Sequence, residues 1–179
     1  MEAVINMKCN YCKIEMEKRN ASTEHPYIYR QSGLNNLILT GISVYTCSAC
    51  NAEAPIIPQV SRLYEVLAEG IIRQNRLLRG DEIRFLRKHA GLPAAKFARL
   101  IGVTAEHLSR VENGHTKSFG KGTDRLVRAF TLTAKEGREA RETLLRIADD
   151  LAEAGKPKKG KVADASYALR PKQGWQRTA

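Results

Sequence analysis

All four cysteines of this 179-residue chain fall into two identical spacings, Cys9-Asn-Tyr-Cys12 and Cys47-Ser-Ala-Cys50. A Cys-x-x-Cys turn presents two sulfurs to one side, half of a tetrahedron around a metal at about 2.3 Å. Two such turns complete the tetrahedron with four thiolates and leave no open position, so the predicted site is structural rather than catalytic. A disulfide framework does not suit a cytosolic chain, and a redox Cys-x-x-Cys has no use for a second copy. One Zn²⁺ per chain, held by Cys9, Cys12, Cys47 and Cys50, is therefore expected. His25 is read as a surface residue, because four sulfurs already satisfy the ion.

The 34 residues between the pairs read as extended segments, Pro26–Tyr29, Leu37–Thr40 and Ile42–Thr46, broken at Ser32-Gly33 and Gly41. After Pro55 and Pro58 the period changes. Val60, Leu63, Tyr64, Leu67 and Ile71 occupy one face of a helix expected over about 61–78. Ile83, Leu86 and Ala90 mark a second helix ending at Gly91. Two short helices follow, Leu92–Ile101 and Ala105–Glu112, separated by Gly102, the apolar plug Val103 and the N-cap Thr104. Two helices joined by a glycine-centred turn make a helix-turn-helix. Phe97, Ala98, Ile101, Val103, Leu108 and Val111 have the spacing to bury between them. That leaves Ala105, Glu106, His107, Ser109 and Arg110 facing outward at the start of the second helix, where such a helix meets base edges in the major groove.

Charge agrees with this division. The formal charge is +11. Residues 1–69 hold 6 basic and 7 acidic side chains, residues 70–155 hold 17 and 11, and residues 156–179 hold 7 and 1. A near-neutral module thus precedes a basic one and a basic tail, which points to a polyanionic partner for the later part. No apolar run approaches the ~18 residues of a membrane span, and the first residues lack the basic-then-apolar order of a secretory signal. A cytoplasmic protein, nucleoid-associated when bound to DNA, is expected. No Ser/His/Asp set, glycine-rich phosphate loop or carboxylate pair emerges, so the chain is not expected to be an enzyme.

The run Gly91–Gly114 resembles the Xre/Cro-type phage-repressor domain. The paired cysteine module followed by Leu78-Arg-Gly-Asp-Glu-Ile-Arg-Phe-Leu-Arg-Lys88 is similar to MqsA-type antitoxins, zinc-finger/helix-turn-helix proteins of the YgiT type. The resemblance covers roughly residues 7 to 135, and members starting at Met-Lys-Cys make Met7 a candidate functional start. It implies an α+β chain: a small β-rich zinc-binding domain, then an all-α Xre/Cro-type helix-turn-helix domain with an extra C-terminal helix and tail. The expected boundaries are 1–60 for the zinc domain, 61–79 for a connecting helix, 80–135 for the helix-turn-helix domain, 136–154 for an additional amphipathic helix and 155–179 for a flexible basic tail.

The resemblance also implies a function. Such a chain neutralises a cognate toxin, in relatives an RNA-cleaving one, and represses its own operon by binding a palindromic operator as a homodimer. A stand-alone zinc-finger/helix-turn-helix regulator without a toxin is the alternative. Position by position, Arg110 is the candidate guanine contact, its fork of donors matching O6 and N7. Glu106 stands where relatives carry a base-reading amide; a carboxylate must accept from cytosine or fold back on Arg110, so the operator sequence is not inherited. His107 and Ser109 face bases or phosphates, and Ala94 offers a helix-start N–H to a phosphate. Asn113, Thr116 and Lys117 are backbone contacts beyond the recognition helix. Arg87 and Glu112 match the buried ion pair of phage-repressor domains.

Overall fold

The computed structural model describes residues 7–133 and the backbone of two further strands at 166–170 and 174–178. It is an α+β structure with a small β-rich N-terminal region and a helical region after it. Strands β1 (Glu17–Asn20), β4 (Ser43–Thr46) and β5 (Glu53–Ile56) form an antiparallel sheet in the order β1-β4-β5, and β2 (Tyr27–Ile28) pairs with β3 (Ile38–Leu39). Helices α1 (Val60–Ile72), α2 (Gly80–His89), α3 (Ala94–Leu100), α4 (Ala105–Glu112) and α5 (Lys121–Thr133) follow.

Two strands escape the pattern of alternating residues. Glu17-Lys-Arg-Asn20 is polar and half-open on an edge, and β5 contains Pro55, tolerated because β5 is also an edge strand. The connecting helix stops at Ile72, short of the expected Leu78, because its carbonyls are captured from outside. The Arg128 guanidinium donates to the carbonyls of Ile72, Gln74 (2.9 Å) and Arg76 (2.6 Å), and to Asp124 at 2.8 Å. Asp124 in turn accepts the Leu78 N–H at 2.7 Å. These bonds hold residues 72–78 in a non-helical path across α5. Helix α5 begins at Lys121 and carries Asp124 in its first turn.

Helix α2 keeps the expected face, with Ile83 and Leu86 fully buried. Its entry is held by Glu82, whose carboxylate accepts the Arg79 N–H at 2.8 Å and two bonds from Arg76 at 2.7 and 2.9 Å. Burial alone would push the Glu82 carboxyl up. The Arg76 side chain, the Arg79 N–H and the charges of both guanidiniums outweigh burial and hold it below its ordinary value.

One apolar cluster spans the helices, containing Ile71, Leu78, Ile83, Leu86, Phe97, Leu108, Val111 and Val127, together with Leu34 from the β region. A second cluster joins Ala21, Tyr27, Tyr29 and Val44. Leu37 and Tyr64 pack against both. Polar contacts reinforce this seam: the Asn35 N–H donates to Asp81 at 3.0 Å, and Arg79 donates to Asn36 at 2.9 Å.

Where composition predicts a flexible tail, the backbone at β6 (Ser166–Arg170) and β7 (Gly174–Thr178) pairs antiparallel, with Leu169 opposite Trp175. Charge dominates the tail's composition and masks the β-formers Tyr167, Trp175 and Thr178. The expected helix over 136–154, the tail outside β6 and β7, and residues 1–6 lie outside the described residues.

Candidate metal centre and nucleic-acid interface

The two cysteine turns are built alike. The Cys9 N–H donates to the Ile14 carbonyl and the Lys13 N–H returns to the Cys9 carbonyl; the Cys47 N–H donates to Ala52 and the Asn51 N–H returns to Cys47, each at 2.9 Å. Both turns are closed by a residue in the left-handed region, Lys13 at φ 62° and Asn51 at φ 54°. Asn adopts that conformation readily; Lys13 does so at a cost that the turn's two hydrogen bonds offset.

The turns converge. The sulfurs of Cys9, Cys12, Cys47 and Cys50 all lie within 4.8 Å of one another, with Cys9 and Cys50 at 3.6 Å. A tetrahedron with arms of about 2.3 Å has edges of about 3.8 Å, so the spacing fits a four-sulfur metal site. The backbone N–H of Cys12 draws the Cys9 thiol down to about 7, while Cys50 and the other sulfurs push Cys12 up to about 12. Four thiolates this close require a cation to coexist. His25 stands apart, its N–H donating to Ser22 and its carbonyl accepting from Arg19.

The helix-turn-helix follows the expected geometry. Gly102 turns the chain at φ 69°, and the Thr104 hydroxyl accepts the His107 N–H at 3.1 Å. Phe97, Ala98, Ile101, Leu108 and Val111 are buried between α2, α3 and α4, with Val103 partly buried. Arg87 and Glu112 form a two-bond pair at 2.7 and 2.8 Å, their side chains only 11% and 7% exposed. Glu112 holds the Arg87 guanidinium firmly protonated, and Arg87 also donates to the Leu92 carbonyl.

On the outer surface, Ala105, Glu106, His107, Ser109 and Arg110 are all exposed on α4. The Glu106 carboxyl is held below its ordinary value by its own N–H and then by the Thr104 hydroxyl, so it stays ionised against the helix start. His107 leans edge-on against Phe119, with ring centroids 5.3 Å apart. Ala94 opens α3 and is exposed, Thr116 is half-buried, and Lys117 is exposed. The Arg110 carbonyl accepts from the N–H groups of His115 and Thr116, fixing the loop behind the helix. Sequence spacing did not single out Arg84, which donates to the Glu112 carbonyl at 2.6 Å and to the Asn113 side chain. A guanidinium one turn before Arg87 on α2 was the available signal.

Residues 83–119 match the helix-turn-helix family, of Xre/Cro type. No curated protein matches the chain at a significant level. The match points to a DNA-binding transcription regulator, and domains of this family are generally not enzymes. Among the described residues, no helix is long and apolar enough to cross a membrane.

Proposed function

We propose that the chain is the antitoxin of a type II toxin–antitoxin pair, zinc-bound and dimeric, that neutralises its toxin and represses its own operon at a palindromic operator. One observation carries this: a closed four-sulfur cluster and a helix-turn-helix with an open recognition face occur in one chain, joined through a shared seam. Zn²⁺ suits the set, because four thiolates and no open position are its structural preference. Its binding supplies folding free energy to a β region whose own core is small.

DNA contact is assigned to Arg110 and Ser109 on bases, with Glu106, His107, Ala105, Ala94, Thr116 and Lys117 around them. The seam of the dimer is assigned to α5, where Leu126 and Leu132 are 42% and 50% exposed. The toxin partner is assigned to the β region, whose near-neutral charge does not suit DNA.

Two measurements test this. Arg110→Ala costs about 1–3 kcal/mol in operator binding and relaxes specificity at one base position; equal loss on specific and random duplexes makes Arg110 a phosphate contact instead. Co-expression with the product of the adjacent reading frame must relieve that product's toxicity. A chain that binds an operator but rescues no neighbour is a stand-alone zinc-finger/helix-turn-helix regulator.

A further inference from the structure

We propose that Arg84, acting through Asn113, biases Ser109 toward donating a hydrogen bond to an acceptor atom on a base of the operator. The inference rests on the DNA-binding reading above and adds to it a positioning residue and the hydrogen-bonding sense of one base contact.

A guanidinium has donors only, so the oxygen of the Asn113 side chain must be the atom that faces Arg84. That settles which way the carboxamide lies, a choice otherwise open for any Asn. Its Nδ2 then donates to the Ser109 Oγ at 3.2 Å, one turn back along α4. Arg84 is itself held, through its second acceptor, the Glu112 carbonyl, against the end of the same helix. The relay therefore runs in one direction, from Arg84 to Asn113 to Ser109.

One lone pair of the Ser109 oxygen is occupied, and its O–H donates to no group among the described contacts. Accepting a hydrogen bond polarises that O–H and strengthens it as a donor. Ser109 is exposed on the face of α4 that also carries Arg110. In the major groove, guanine, adenine and thymine present acceptors, while cytosine presents only an N4 donor. With one lone pair taken, Ser109 keeps its O–H and a single lone pair for DNA, and the strengthened O–H favours an acceptor base over cytosine at the position it reads. Asn113, with both ends of its side chain engaged within the protein, serves as the link rather than as a reader.

The discriminating variant is Asn113→Asp. A carboxylate keeps the Arg84 bond but has no N–H for Ser109, so the serine proton turns inward and the oxygen faces the groove as an acceptor. Full-length, metal-loaded protein is used to select duplexes from a random library, and the selected site is re-measured with each single base change. At one position per half-site, the wild type disfavours cytosine, and Asn113→Asp shifts the preference toward it by about five- to a hundred-fold. Ser109→Ala abolishes the wild-type preference there and makes Asn113→Asp silent at that position. The inference is overturned if Asn113→Asp weakens all duplexes equally, as charge repulsion or a phosphate contact would. It is equally overturned if Ser109→Ala leaves the preference intact. A wild type that enriches no sequence overturns the operator reading itself, and this inference with it.

Discussion

Replacing Gly80 by alanine should destabilise the protein, although a glycine-to-alanine change inside a helix ordinarily does the reverse. Gly80 opens α2 where it crosses the end of the recognition helix. A Cβ built there lies 1.9 Å from the Val111 carbonyl oxygen, 2.9 Å from its carbon and 3.2 Å from the Glu112 Cα. All three are backbone, so no rotamer change relieves the clash, and restoring even 3.0 Å to the oxygen moves the helices apart by about 1.1 Å. Overpacking of this kind costs ~1–3 kcal/mol, against a propensity gain of ~0.5–1 kcal/mol. With rigid backbone on both sides the upper end applies, a net loss of roughly 2 kcal/mol, or on the order of 8 °C in Tm at about 4 °C per kcal/mol. Gly70 is the internal control. It sits within α1, and a Cβ there meets nothing within 4 Å. Gly70→Ala should stabilise by ~0.5–1 kcal/mol. Urea and thermal unfolding of the two variants decide the matter. A Gly80→Ala protein as stable as wild type would falsify the backbone-contact account.

Three further outcomes are expected. Glu112→Ala leaves Arg87 without its partner and costs about 3–5 kcal/mol in urea unfolding, whereas Arg87→Met with Glu112→Leu recovers most of it; equal losses in both proteins would show that the charge pair is not the cause. The folded pKa of Glu82 lies below its unfolded value, so its contribution is present above about pH 4.5 and is lost as pH falls through the folded value; wild-type urea midpoints must drop more steeply on that limb than those of Glu82→Gln. Arg128→Met releases the carbonyls of residues 72–76, and tryptic cleavage at Arg73, Arg76 and Arg79 should rise at least about tenfold, the factor that 1.4 kcal/mol of local stability gives; unchanged cleavage refutes the clamp.

The helix-turn-helix was legible because its determinants are local. Gly102, Thr104 and the apolar spacing from Phe97 to Val111 each state their role within a few residues, and the two cysteine turns do the same. What escaped the sequence was long-range. The end of α1 at Ile72 is decided by Arg128, fifty-six residues away, and no local propensity records it. β1 escaped because an edge strand with polar residues shows little alternation, and β5 because Pro55 argues against a strand unless the strand lies on an edge. The orientation of Asn113, which the resemblance makes a backbone contact, depends on Arg84 in another helix and is invisible to local sequence.

Leu34 belongs to the β region by sequence and to the helical core by contact. Interchangeability follows from that single side chain. A helical part excised after residue 60 would carry an unfilled socket where Leu34 sits, and would leave Asp81 and Arg79 without the Asn35 and Asn36 partners they hold here. Grafting the cysteine module onto a foreign repressor would expose the same leucine to water. The two parts can be exchanged among such proteins only with their landing site, so substitutions at Leu34 and in its socket are expected to be tolerated in pairs and rejected singly.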